Sequence, residues 1–234
     1  MSVKTQIEGN LPTGLSRPAL RALAGAGISN LAQLSQFSEA ETRNLHGIGP
    51  NVLEKLRRAL AENQLAWKEH QPRIEQRDAH AYAAVRLQAP IPFGKFLQPA
   101  WSKVHNWLAG QGIPHEPAII RYLTTDMSTK LDMDVGFVID NLIPGSAGVL
   151  TDTLPDGQYA CLTYTGSYRG KGVYKANVDM IEWAAKNGIT WKTAAKDGAE
   201  WWDARVEWYF NDPAVDPNPE TDLTELTFMV SEEK

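Results

Sequence analysis

Two stretches of this chain, 93–113 and 169–189, align without a gap. Phe93-Gly-Lys, running on to Trp107-Leu-Ala-Gly-Gln-Gly-Ile113, matches Arg169-Gly-Lys, running on to Trp183-Ala-Ala-Lys-Asn-Gly-Ile189. Gly94, Lys95, Trp107, Gly112 and Ile113 pair with Gly170, Lys171, Trp183, Gly188 and Ile189 at one constant spacing. Further on, AIIRYLTTD (118–126) matches ARVEWYFND (204–212), and DVGFVI (134–139) matches ELTFMV (225–230). Three matching blocks in the same order point to an internal duplication, with repeats at 78–140 and 146–231, and a repeat constrains architecture more than any single motif.

Each half reads as strand, helix, strand, strand. The first strands are 81–87 and 159–164. The helices run near 96–111 and 172–187, each ending at a glycine suited to the position after a helix. Alternating apolar and polar residues mark the remaining strands. The two halves together predict an α+β body: an antiparallel sheet with both helices on one face and a cleft on the other.

The first 68 residues are different. Helical periodicity runs through 19–26 and through 52–65, where Leu53, Leu56, Leu60 and Leu65 keep one face apolar. Ser38 followed by Glu41 is a capping-box start to a short helix. Between the helices lies His46-Gly47-Ile48-Gly49-Pro50. Its glycines permit a tight turn whose amides sit at a helix N-terminus, where a phosphate can be accepted.

Through LSRPALRALAGAGISNLAQL and LHGIGPNVLEKLRRAL, this segment resembles a helix-hairpin-helix domain of the kind at the C-terminus of the RNA polymerase α subunit. The resemblance implies a small all-α domain at 10–68, after a flexible 1–9 and before a polar, proline-containing linker at 69–77. It also implies DNA-backbone contact through Gly47 and Gly49 and a nearby arginine. Pro18 stands where that arginine is expected and Asn51 where a lysine follows the hairpin, which leaves Arg17, Arg21 and Lys55 to compensate. A packing or protein-interaction role is the plainer use of such a unit, and any DNA binding is expected to be weak.

Charge supports a division into two parts. Residues 1–68 hold 8 Lys+Arg against 5 Asp+Glu, and the remainder 15 against 23, so a head of +3 precedes a body of −8. No run of 18 apolar residues occurs, so no transmembrane helix or membrane partner is expected. The start shows no apolar signal-peptide core, and one cysteine, Cys161, cannot form an internal disulfide. Both fit a cytoplasmic protein. The five histidines lack metal-ligand spacing, no glycine-rich nucleotide loop is present, and no cofactor is expected.

The second part, through TYTGSYRGKGVYKANVDMIEWAAKNGI, VEWYFNDP and the closing LTELTFMV, resembles the GyrI-like small-molecule-binding domain, also found as the effector domain of multidrug-responsive transcription activators. The resemblance implies an aromatic cleft with Glu207 at its base, meeting polar or cationic groups of hydrophobic ligands, and Tyr168 as a contacting aromatic. Strand alternation puts Arg205, Glu207 and Tyr209 on one face and the apolar Val206, Trp208 and Phe210 on the other, the latter expected under the helices. By the repeat, Arg121 is expected to face Glu207, either as an ion-pair partner or across a ligand. Trp101, Tyr122, Phe137, Tyr168, Trp202 and Tyr209 are candidate walls, and Asp134 a further polar contact. A sensor or sequestering protein is the leading expectation. The alternative is a hydrolase of strained cyclopropane-bearing alkylating compounds, with Glu207 as general base and Tyr168 or Tyr209 as proton donor. A ligand-responsive DNA-binding regulator is the third.

Overall fold

The computed structural model describes residues 10–63, 65–125, 130–168, 171–196, 198–211 and 222–232. The segment 1–9, expected to be flexible, lies outside them. The chain divides into two compact units, Met1–Gln71 and Pro72–Lys234.

The described residues of unit 1 hold four α-helices: α1 (Arg17–Gly25), α2 (Leu31–Leu34), α3 (Glu39–Arg43) and α4 (Pro50–Glu62). Side-chain caps start three of them, at Ser16, Asn30 and Ser38, and the reciprocal Ser38–Glu41 capping box is present. The apolar faces meet in one core containing Leu23, Leu31, Leu34, Leu56, Leu60 and Trp67. Gly47, at φ 102°, turns the chain tightly against Pro18, where an added Cβ would lie 3.1 Å from backbone.

Unit 2 is an α+β body. Its strands are β1 (Arg73–Arg77), β2 (His80–Ala89), β3 (Ala118–Tyr122), β4 (Leu131–Val138), β5 (Leu150–Leu154), β6 (Gly157–Thr165), β7 (Thr193–Lys196), β8 (Ala199–Trp202), β9 (Arg205–Tyr209) and β10 (Leu223–Met229). Its helices are α5 (Gly94–Ala109) and α6 (Gly172–Lys186). Eight strands form one sheet in the order β1-β6-β10-β9-β3-β4-β2-β5, antiparallel at every recorded pairing, while β7 and β8 form a separate hairpin.

The sheet is curled. β5 lies at one edge and β6 next to the other, yet only Pro155 and Asp156 join them. His80 of β2 meets Trp208 of β9 at 5.6 Å between ring centroids, although β4 and β3 lie between those strands. Neighbouring strands are about 4.8 Å apart, so a flat sheet would hold these rings far out of contact.

The inside of the curl is filled by Tyr82, Ile119, Tyr159, Cys161, Val206 and Trp208. The outer face carries α5 over Ile120, Met133 and Val135, and α6 over Ala160, Leu162, Leu226 and Phe228. The expectation of an open cleft on the face without helices is therefore overturned. Val206 and Trp208 are apolar because they line the curl, and Phe210 is 48% exposed. The linker expected at 69–77 is corrected as well. Arg73–Arg77 is β1, paired with β6, and its charged alternation is that of an edge strand.

Candidate functional site

Glu207 is the middle residue of β9 and lies on the helix-covered face, only 5% exposed. Three donors converge on its carboxylate. Asn177 of α6 donates its Nδ2 to Oε1 at 2.8 Å, while the hydroxyls of Tyr122 and Tyr209 donate to Oε2 at 3.1 and 2.5 Å. Tyr122 arrives from β3, next in the sheet, and Tyr209 is two residues along the same face of β9. An ionised carboxylate can only accept, so three donors suit it and an uncompensated burial cost is avoided. Burial and the neighbouring Glu207 charge push both phenols well above the ordinary tyrosine range, so they remain donors.

Asn177 carries a second connection. Its Oδ1 accepts from Arg205 Nη2 at 3.0 Å, and its Nδ2 also donates to Val173 O, one helical turn back, at 3.0 Å. The Arg205 guanidinium lies over three rings, at 4.5 Å from Phe228, 4.9 Å from Trp202 and 5.7 Å from Tyr122. Burial lowers its pKa, and its Nε is buried with no partner among the described residues. Arg205 and Glu207, opposite charges on one strand face, are thus joined through an amide and not by a direct ion pair.

The position of α6 depends on Gly172. A Cβ there would fall 1.8 Å from the Tyr164 hydroxyl, so any larger residue would displace the Tyr164 ring. Tyr209, half-buried, forms the rim of the site. Its ring meets Trp101 of α5 edge-on at 5.6 Å and Tyr168 at 5.1 Å. The Tyr168 hydroxyl donates to Leu223 O at 3.2 Å and accepts from the Asn211 amide at 3.3 Å, which fixes that ring. A carboxylate ringed by donors, with three aromatics beside it, can hold a flat or bulky apolar molecule and hydrogen-bond its polar group.

The structure therefore brings together Glu207, Tyr122, Tyr209, Tyr168 and Trp101. Trp202 stands behind them, buried under Arg205 and donating its Nε1 to Thr125 Oγ1 at 3.0 Å. Phe137 packs against His105 and His115 instead.

Two residues are on the other side of the sheet. Ile120 is the partner of Glu207 across β3 and β9, and Arg121 pairs with Val206. Arg121 points into the curl, where it donates to the Tyr82 hydroxyl at 2.8 Å, Asp203 O at 2.8 Å and Asp152 at 3.2 Å. Asp134 is fully buried there, held by Arg86 at 2.8 and 2.9 Å and by Tyr82 at 2.8 Å. The expected pairing of Arg121 with Glu207, and the reach of Asp134 into the site, are overturned. Asn177 was missed altogether; its only signal was an amide among the apolar positions of a helix.

Inside the curl, Glu75, Cys161 and Glu225 bring ligand atoms within 4.8 Å of one another. Arg73 and Arg77 already neutralise both carboxylates, and burial pushes the Cys161 thiol up to about 12, so the group reads as an ion-pair network. In unit 1, Arg17 and Arg21 are exposed and in no ion pair among the described residues, whereas Lys55 donates to Gly14 O at 2.7 Å.

Residues 70–231 match the family model described as "GyrI-like small molecule binding domain". Solved structures similar to the chain include the EcmrR C-terminal domain, at 13% identity, covering 70% of this chain and 98% of that one with a TM-score of 0.54. They also include EcmrR in its cryo-EM complex with DNA, at 13% identity, covering 87% and 80% with a TM-score of 0.58. No curated protein matches the chain. No helix among the described residues is long and apolar enough to cross a membrane.

Proposed function

Because this chain belongs to the family of GyrI-like small molecule binding domains, we propose that it binds small, largely apolar aromatic molecules between α5 and α6, at Glu207. The observation that carries this reading is the buried Glu207 carboxylate beside the partly buried rings of Tyr209, Trp101 and Tyr168. The rings supply apolar area and the carboxylate orients a polar group. The duplication of the strand-helix-strand-strand unit belongs to this reading, since it would make the site a junction between two equivalent halves.

A hydrolytic use of the same residues is less well supported. A general base works with an acid that can release a proton, and the phenols beside Glu207, pushed well above the ordinary tyrosine range, already donate to that carboxylate. For unit 1 we keep the helix-hairpin-helix reading, with weak DNA-backbone contact through Arg17 and Arg21.

The test uses the full chain and Nile red, a neutral dye whose emission rises in apolar surroundings. Trp101→Ala and Tyr168→Ala should each weaken binding by about tenfold, the worth of one good aromatic contact. Tyr174→Ala, at a ring 62% exposed on α6, should change nothing. Absent binding, or equal loss in all three variants, would refute the site.

A further inference from the structure

We infer that Arg205 sets the charge preference of this site: linked through Asn177, it balances Glu207, so that neutral aromatic molecules are taken in preference to lipophilic cations of the same shape. The inference rests on the binding site proposed above and adds what that site selects.

A lone buried carboxylate among aromatic rings attracts cations, since nothing else near it opposes its field. Here the field is opposed at close quarters. Arg205 Nη2 is one amide away from Glu207, through hydrogen bonds of 3.0 and 2.8 Å. The guanidinium is also the cation that the surrounding rings already hold, over Phe228, Trp202 and Tyr122. An incoming cation finds the carboxylate's charge offset, and it meets a like charge held close behind the site. A neutral molecule meets none of these costs and keeps the apolar contact with Trp101, Tyr168 and Tyr209. The Asn177 amide makes the arrangement specific. It donates to the acid and accepts from the base, so neither charge lacks a partner and neither is cancelled by direct contact.

Tetraphenylphosphonium and tetraphenylborate are nearly identical in shape and opposite in charge, so the ratio of their affinities reports the field at the site. Nile red, measured on the same samples, reports whether the site itself is intact. In the unsubstituted chain, Nile red should bind more tightly than tetraphenylphosphonium. Arg205→Gln keeps a donor for Asn177 Oδ1 but removes the charge, and it should move the ratio toward the cation by ~tenfold or more. Glu207→Gln should move it toward the anion by a similar factor, and in Arg205→Gln the Nile red affinity should change less than about threefold. Should Arg205→Gln fail to fold, Arg205→Met keeps an unbranched stem over the Phe228 and Trp202 rings and is read the same way. A ratio that stays fixed in the Arg205 variant while Nile red still binds would overturn the inference and leave the site standing, as would tight tetraphenylphosphonium and weak Nile red binding before substitution. Failure of all three probes on the unsubstituted chain would sink the site itself, and the inference with it.

Discussion

Asn177 of α6 donates its amide to Glu207 of β9 at 2.8 Å, and this contact fastens the second helix to the centre of the sheet. The same side chain accepts from Arg205 at 3.0 Å, so its removal takes one of three donors from Glu207 and the acceptor from Arg205. Asn177→Ala should therefore cost about 2–4 kcal/mol, more than the net worth of one neutral hydrogen bond. Urea unfolding measures it. A loss under about 0.5 kcal/mol would mean that water replaces the amide without penalty.

Turnover separates a binder from a hydrolase. Incubated with a strained cyclopropane-bearing electrophile in excess, the chain should release no hydrolysed product above the rate in buffer. A general base at Glu207 would instead give turnover that falls roughly 10²- to 10⁴-fold in Glu207→Gln, with substrate affinity retained.

Alkaline pH should unfold the protein early. Cys161 is pushed up to about 12, Tyr159 also to about 12, and Tyr122 and Tyr209 well above their ordinary value, all through burial first. These groups keep their protons in the folded state, while the unfolded chain releases them near pH 9 to 10. The unfolded state then binds fewer protons, so stability falls as pH rises. Stability should be level up to about pH 8 and lower by at least about 3 kcal/mol at pH 10.5, read from urea midpoints. An unchanged midpoint would show that these groups are not sequestered.

Unit 2 should fold alone if β1 is kept. A fragment of residues 72–234 should fold and bind Nile red as the full chain does. A fragment starting at 78 loses Arg73 and Arg77, the ion-pair partners of the buried Glu225, and should be less stable by about 3–5 kcal/mol. Equal stability of the two fragments would reduce β1 to a decoration of the sheet edge.

DNA binding through unit 1 should be weak and only shallowly salt-dependent, because few cations are available to displace counterions. Arg21→Ala should reduce it further at low salt. Sub-micromolar binding at physiological salt would show that the hairpin is a dedicated nucleic-acid contact.

The α+β plan, both long helices and the strand carrying Glu207 were readable from the chain, because period and alternation report local geometry directly. The side of the sheet on which Glu207 stands was not. Matching Arg121 with Glu207 fixes an even offset between the two strands. In the pairing itself Tyr122 and Glu207 share a face, which requires an odd one. A slip of a single residue carries every side chain to the opposite face. Nor could the apolar Val206 and Trp208 decide the matter, because this sheet is buried on both sides, by helices outside and by its own curl within. Asn177 was invisible for a related reason: a polar residue on an amphipathic helix ordinarily faces water, and only the tertiary fold turns this one inward.

The position of β10 bears on how the protein is made. Among the described residues it is the last strand in sequence, yet it lies between β6 and β9 and joins β1 and β6 to the other five strands of the sheet. A ribosome that has delivered everything before Leu223 has therefore produced two sheet fragments with unpaired edges and no seam between them. Closure waits for Leu223–Met229, so products stalled before that segment should present open edges to chaperones and proteases until it is added.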